Sequence, residues 1–217
     1  MKWQNARAFC VSVFCFTAII PNFVYADTKA GETLAKNGAS GVAPCVQCHG
    51  AQGEGQATTG FPRLAGQSQG YLVKQLQDFK GPRTDPVMQV FARSLSAQQI
   101  SDVSEYYASL PPWQRNKPAL PLASPRTAAS RGAQLAQKGN WDSGVPACFA
   151  CHGVQGAGIA PTFPALAGQH ASYTTKQLNA WQTRTRSNDP QGLMKAVAEK
   201  LSPEDITAVS TYLEKMQ

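Results

Sequence analysis

The chain has 217 residues, 42% of them apolar and 15% charged, and 20 Lys+Arg against 13 Asp+Glu give a formal net charge of +7. That apolar fraction supports a globular core and excludes wholesale disorder. The basic excess raises nucleic acid as a partner, but no five-residue window is a Lys/Arg cluster, which argues against a dedicated nucleic-acid patch.

Residues 1–9 carry Lys2 and Arg7 and no acid, and Cys10 to Ile20 is apolar apart from Ser12 and Thr17. Pro21 and Asn22 end the run, and Val24-Tyr25-Ala26 offers a small-x-small site before Asp27. This is the layout of a signal peptide over residues 1–26, cleaved after Ala26. The apolar run is too short to span a bilayer. Val13-Phe14 lacks the small residues that precede a lipid-modified Cys, so an anchor on Cys15 is disfavoured. Cleavage leaves 217 − 26 = 191 residues, a net charge of +5 without Lys2 and Arg7, and four Cys.

Those four Cys fall in a unit that is written twice. Cys45-Val46-Gln47-Cys48-His49-Gly50 recurs as Cys148-Phe149-Ala150-Cys151-His152-Gly153. Phe61-Pro62-Arg63-Leu64-Ala65-Gly66-Gln67 recurs as Phe163-Pro164-Ala165-Leu166-Ala167-Gly168-Gln169. Upstream Gly31 matches Gly132, and downstream Lys74-Gln75-Leu76, Leu95-Ser96 and Ile100 match Lys176-Gln177-Leu178, Leu201-Ser202 and Ile206. Colinear self-similarity of this kind means two homologous domains, 27–110 and 126–217. Between them, residues 111–125 hold five prolines in fifteen residues, the composition of a semi-rigid extended linker.

Each copy reads as all-α. Thr28 to Asn37 and Ala128 to Lys138 show apolar residues at helical spacing, and Tyr71, Leu72, Gln75, Leu76 and Phe79 form a stripe repeated by Tyr173, Gln177, Leu178 and Trp181. Ser96 to Gln99 opens a last helix with a capping-box pattern, and Ser202-Pro203 opens its twin with proline at the first helical position. The Gly/Pro-rich stretches 50–60 and 153–161 read as loops. Halves of this size have marginal cores, and a large apolar cofactor would complete them.

Cys-x-x-Cys followed directly by His is the attachment sequence of haem c. The three-residue step puts both sulfurs on one side of a helical turn, and the adjacent His reaches the iron. Cys45 and Cys48 are therefore expected to hold one haem with His49 as ligand, and Cys148 and Cys151 a second with His152. Zinc fits poorly, because each site offers three ligands and the two lie 103 residues apart. A thioredoxin-like dithiol needs a strand–turn–helix context that is absent here, and a disulfide within either motif gains nothing structurally.

Met88 and Met194 each lie seven residues before a Leu-Ser pair and follow Asp85-Pro86 and Asp189-Pro190. They are the expected sixth ligands, placed in a loop after a helix, and Met/His ligation raises reduction potential. Met216 reads as a surface end. His170, whose counterpart is Ser68, reads as a surface residue near a helix start. The carbonyls of Pro62 and Pro164 are expected to accept the second ring N–H of His49 and His152.

These motifs together resemble the dihaem cytochrome c4 family over nearly the whole chain after residue 26. The resemblance implies two tandem class I cytochrome c domains, each a few helices around a covalent haem, with the haem propionates close together across the domain interface. It implies a periplasmic or peripherally membrane-associated electron carrier, not an enzyme, passing single electrons from a quinol–cytochrome c reductase to a terminal oxidase. One departure is the first Met segment, two residues tighter than the second. A dihaem subunit of a flavocytochrome-type dehydrogenase shares much of the pattern and is the alternative. A dihaem peroxidase or thiosulfate-oxidising enzyme would need an open or replaceable ligand position, against a Met at the same place in both halves. Net charge is zero over 27–110, +2 in the linker and +3 over 126–217, which points to an acidic partner for the second domain.

Overall fold

The fold is that of a computed structural model, and it is described for residues 25–112 and 131–216. The expected signal peptide lies outside these residues up to Val24, as does the expected linker beyond Pro112. Among the described residues, ten α-helices and three single-turn 3-10 helices make up the two halves, and no strand occurs. The first half holds α1 (Thr28–Asn37), α2 (Val46–His49), α3 (Gln69–Asp78), α4 (Pro86–Ser94) and α5 (Ala97–Ser109). The second repeats them as α6 (Arg131–Gln137), α7 (Cys148–His152), α8 (Ala171–Gln182), α9 (Leu193–Ala198) and α10 (Pro203–Lys215).

Local sequence sets the helix ends. Asp27 caps α1 by accepting from the backbone N–H of Lys29 and Ala30 at 2.9 and 3.1 Å. The capping box of α5 is complete: Ser96 Oγ accepts from Gln99 N at 3.1 Å, and Gln99 Oε1 accepts from Ser96 N at 2.9 Å. Ser202 caps α10 by accepting from Asp205 N at 3.1 Å, with Pro203 in the first turn. α6 covers 131–137 of the expected 128–138; the three residues before it are outside the description.

Each half closes by crossing its first helix over its last. The crossing is tight enough to exclude a side chain. A Cβ on Gly31 would lie 2.0 Å from the Asp102 carbonyl oxygen, and one on Gly132 would lie 2.1 Å from that of Ala208. Leu34, Ile100 and Val103 pack behind the first crossing, and Leu135, Ile206, Val209 and Leu213 behind the second. Met216 corrects its sequence reading. It is the C-cap of α10 and is buried in the second core, because the end of that helix turns inward onto Leu213.

Two outcomes follow for stability. Gly31→Ala and Gly132→Ala force the crossed helices apart, each costing about 1–3 kcal/mol; thermal unfolding should show a lowered Tm for both. Arg131 donates to both carboxylate oxygens of Asp205, at 2.6 and 3.0 Å, and this hydrogen bonding holds the Asp205 carboxyl below its ordinary range. A depressed carboxyl stabilises the fold above its unfolded value, roughly pH 4, and loses that contribution as pH falls through the folded value. Asp205→Asn should therefore weaken the protein at neutral pH and match the parent in denaturant titrations near pH 2.

Candidate haem-binding site

The two Cys-x-x-Cys-His segments are short helices that end abruptly. α2 and α7 stop at His49 and His152, and the following Gly50 and Gly153 have φ of 81° and 77°, which turns the chain away at once. Each loop then folds back: Gly55 N donates to His49 O and Gly158 N to His152 O, both at 2.7 Å. Short bridges Gln56–Phe61 and Ile159–Phe163 close the loops. The return brings the Phe-Pro segments beside the imidazoles, with Phe61 and Phe163 ring centroids 6.2 and 5.9 Å from those of His49 and His152.

The expected histidine partners are in place. His49 Nδ1 lies 3.0 Å from Pro62 O, and His152 Nδ1 lies 2.9 Å from Pro164 O. A carbonyl only accepts, so Nδ1 carries the proton in both rings and Nε2 keeps its lone pair for a metal. Burial pushes both imidazoles toward the neutral form, against the opposing pull of the proline carbonyls.

No disulfide joins Cys45, Cys48, Cys148 and Cys151. Cys45, His49 and Met88 line one stretch of a predominantly apolar cavity, and Cys148, His152 and Met194 line another stretch of the same cavity. The methionines are not on loops, as the sequence reading had them. Asp85 caps α4 by accepting from the N–H of Val87 and Met88 at 3.1 and 3.0 Å, with Pro86 in the first turn, so Met88 is helical. In the second half the two extra residues form a turn through Gln191 and Gly192, with φ of 57° and 68°. Asp189 then accepts from Trp181 Nε1 and Lys195 N at 3.0 Å each, and Met194 sits in the first turn of α9.

Where the halves meet, the cavity is walled by two cations that the sequence reading did not single out. Arg83 donates to Gln75, Tyr173 and Gln177 at 2.6, 3.0 and 3.0 Å. Arg186 donates to Asn188, Gln177 and Gln75 at 2.9, 2.8 and 3.2 Å. Each guanidinium stacks on an aromatic ring of its own half, Arg83 on Phe79 at 4.3 Å and Arg186 on Trp181 at 4.1 Å. Both are only 6% exposed, and none of these hydrogen-bond acceptors is a carboxylate. Buried cations with neutral partners beside an apolar cavity suit a flat, apolar group that carries carboxylates, and haem with its propionates is such a group. Thiol pairs, neutral imidazoles and thioethers on the same wall suit it equally.

Comparison with known proteins agrees with this chemistry. The family model described as Cytochrome c matches residues 29–111 and again 129–217. Cytochrome c4 from Thiocapsa roseopersicina is 42% identical over 190 residues, which cover 87% of this chain and 92% of that one. The chain belongs to the cytochrome c4 family. It is a dihaem electron carrier with two covalently bound haem c groups. Another cytochrome c4, that of Pseudomonas stutzeri in a crystal structure of the reduced recombinant protein, superposes with a TM-score of 0.74 at 36% identity, covering 89% of this chain and 100% of that one. Two further likenesses fall outside the cytochrome c4 name. A thiosulfate dehydrogenase electron acceptor from Thiomonas intermedia is 43% identical over 173 residues, 79% of this chain and 77% of that one. The thiosulfate dehydrogenase (TsdBA) structure from Marichromatium purpuratum superposes with a TM-score of 0.79 at 38% identity; the match covers 88% of this chain but only 40% of that longer one.

In this member of the cytochrome c4 family, His170 departs from its surface reading. It does stand at the start of α8, but it is buried between the halves, where Nε2 donates to Glu54 O at 3.0 Å and Nδ1 lies 3.5 Å from Glu214. The signal that would have exposed Arg83 and Arg186 is their shared position, a few residues after Phe79 and Trp181. Arg83→Met takes one donor from Gln75 and from Gln177, which keep Arg186, and takes the Arg83 donor from the buried Tyr173 hydroxyl. Denaturant unfolding of the holoprotein should register a loss of about 1–3 kcal/mol.

Proposed function

We propose that this chain is a periplasmic one-electron carrier, not an enzyme, exported by cleavage after Ala26. Cys45 and Cys48 bind one haem through thioethers, with His49 and Met88 as its axial ligands. Cys148 and Cys151 bind the second, with His152 and Met194. The observation that carries this reading is the duplicated grouping of a thiol pair, a carbonyl-bonded neutral histidine and a methionine on one cavity wall. Each haem, when bound, supplies one Fe(III)/Fe(II) exchange. The chain's residues set the poise of that exchange. A thioether sulfur is soft and favours Fe(II), and an apolar wall disfavours the extra charge of Fe(III). Two filled axial positions leave little for a substrate to displace.

The electron source is a quinol–cytochrome c reductase and the acceptor a terminal oxidase, with the +3 second domain, 126–217, facing an acidic partner. A second reading keeps the same sites and changes the donor to a sulfur-oxidising dehydrogenase. It is supported by the relative named a thiosulfate dehydrogenase electron acceptor and by the superposition on thiosulfate dehydrogenase. No helix among the described residues is long and apolar enough to cross a membrane, which is compatible with a peripheral association.

The purified protein should give two haems per chain as the pyridine haemochrome and a ferric Met–iron charge-transfer band. Met88→Ala and Met194→Ala should each remove about half of that band and create one cyanide-binding site, on the simple expectation of one thioether per iron. A full band in either variant would remove that methionine from the ligand set. Reduction rates measured with a quinol–cytochrome c reductase and with thiosulfate dehydrogenase, over a range of ionic strength, separate the two donors.

A further inference from the structure

The histidine-orienting peptide of each half is held by a glutamine from the other half. Gln169 Oε1 accepts from Arg63 N at 3.0 Å, and Gln169 Nε2 donates to Arg63 O at 3.1 Å. Gln67 does the same to the second half: Oε1 accepts from Ala165 N at 3.0 Å and Nε2 donates to Ala165 O at 2.8 Å. Arg63 N–H and Pro62 C=O belong to a single peptide plane, as do Ala165 N–H and Pro164 C=O. Two unbroken chains result. One runs from Gln169 through the Pro62–Arg63 peptide to His49 Nδ1, and the other from Gln67 through the Pro164–Ala165 peptide to His152 Nδ1. Both glutamines are 7% exposed, so water does not compete for these bonds.

We propose that Gln67 and Gln169 are crossed positioning residues, each tuning the axial histidine of the opposite domain through one polarised peptide. Hydrogen bonds in series strengthen one another. An acceptor on the peptide N–H makes the proline carbonyl a stronger acceptor from Nδ1–H. The ring gains imidazolate character and becomes a better donor to Fe(III). Docking of the two domains therefore lowers both potentials, and it does so through the partner domain's side chain. Gln169 Oε1 also accepts from His170 N at 3.0 Å, which fixes the amide orientation and leaves the chain to His49 intact.

This inference rests on His49 and His152 being axial ligands, and the experiment reports on that separately. In the ferric holoprotein, the ring protons of both histidines should lie far outside the diamagnetic window; failure here overturns the ligation. Given ligation, Gln169→Met should raise the potential of the haem at His49. The expected change is on the order of threefold in the Fe(II)/Fe(III) ratio at fixed applied potential, about 30 mV at 59 mV per decade. The haem at His152 should stay at the parent value. Gln67→Met should do the reverse. In the reduced protein the Nδ1–H resonance, assigned through Phe61 or Phe163, should move in the same crossed pattern. Shifts confined to the mutated half, equal shifts of both haems, or no shift would each overturn the relay.

Discussion

A guanidinium taken out of water must find acceptors for its N–H donors, and two of them, Arg83 and Arg186, are buried where the halves meet. Much of the interface can be understood from that requirement. Gln75 and Gln177 each accept from both arginines, so neither half can satisfy its own cation alone. The aromatic rings of Phe79 and Trp181 cover the guanidinium faces and keep the donors in plane with the glutamines. An apolar seam would bind two domains in many registers with similar energy. A shared pair of cations binds them in one, because each misplacement strands a charge.

The same economy extends to the cofactor walls. The cation pair fixes α3 against α8, and that registry lets Gln67 and Gln169 reach across to the Phe-Pro segments. Contacts that recur in both directions are the mark of an isologous interface, here built within one chain from two copies of one unit. Domain docking, histidine orientation and the cavity wall are therefore parts of one polar network, and the hydrophobic cores behind α1 and α6 serve as its rigid backing.

The haem motifs, the repeat and the proline carbonyls were legible in the sequence because each depends on local spacing. The first, third and last helix of each half, and the caps at Ser96 and Ser202, were legible for the same reason. Met88 was misread in its setting. Asp85-Pro86 looks like a turn, yet it is a cap followed by a first-turn proline, the same grammar read correctly at Ser202-Pro203. His170 and Met216 were misjudged because nearness to a helix end or a chain end says nothing about what packs over it. Arg83 and Arg186 were invisible to hydrophobic patterning, since an interface made of amides, phenols and guanidiniums carries no apolar period.

The near-symmetry of the interface is broken at Asp78. Asp78 accepts from Asn188 and Lys74, and Lys74 also donates to the Asn188 carbonyl at 2.9 Å. The repeat places Ala180 opposite, with no charge to return. The matching edge has only a loose pair, Lys176 to Asp85 at 3.7 Å. The two redox centres thus sit in unequal fields. Electron exchange between equal sites has no preferred direction, whereas unequal sites have a downhill one. Asp78, ion-paired with Lys74 in one half and without an acidic counterpart in the other, gives a duplicated molecule a polarity.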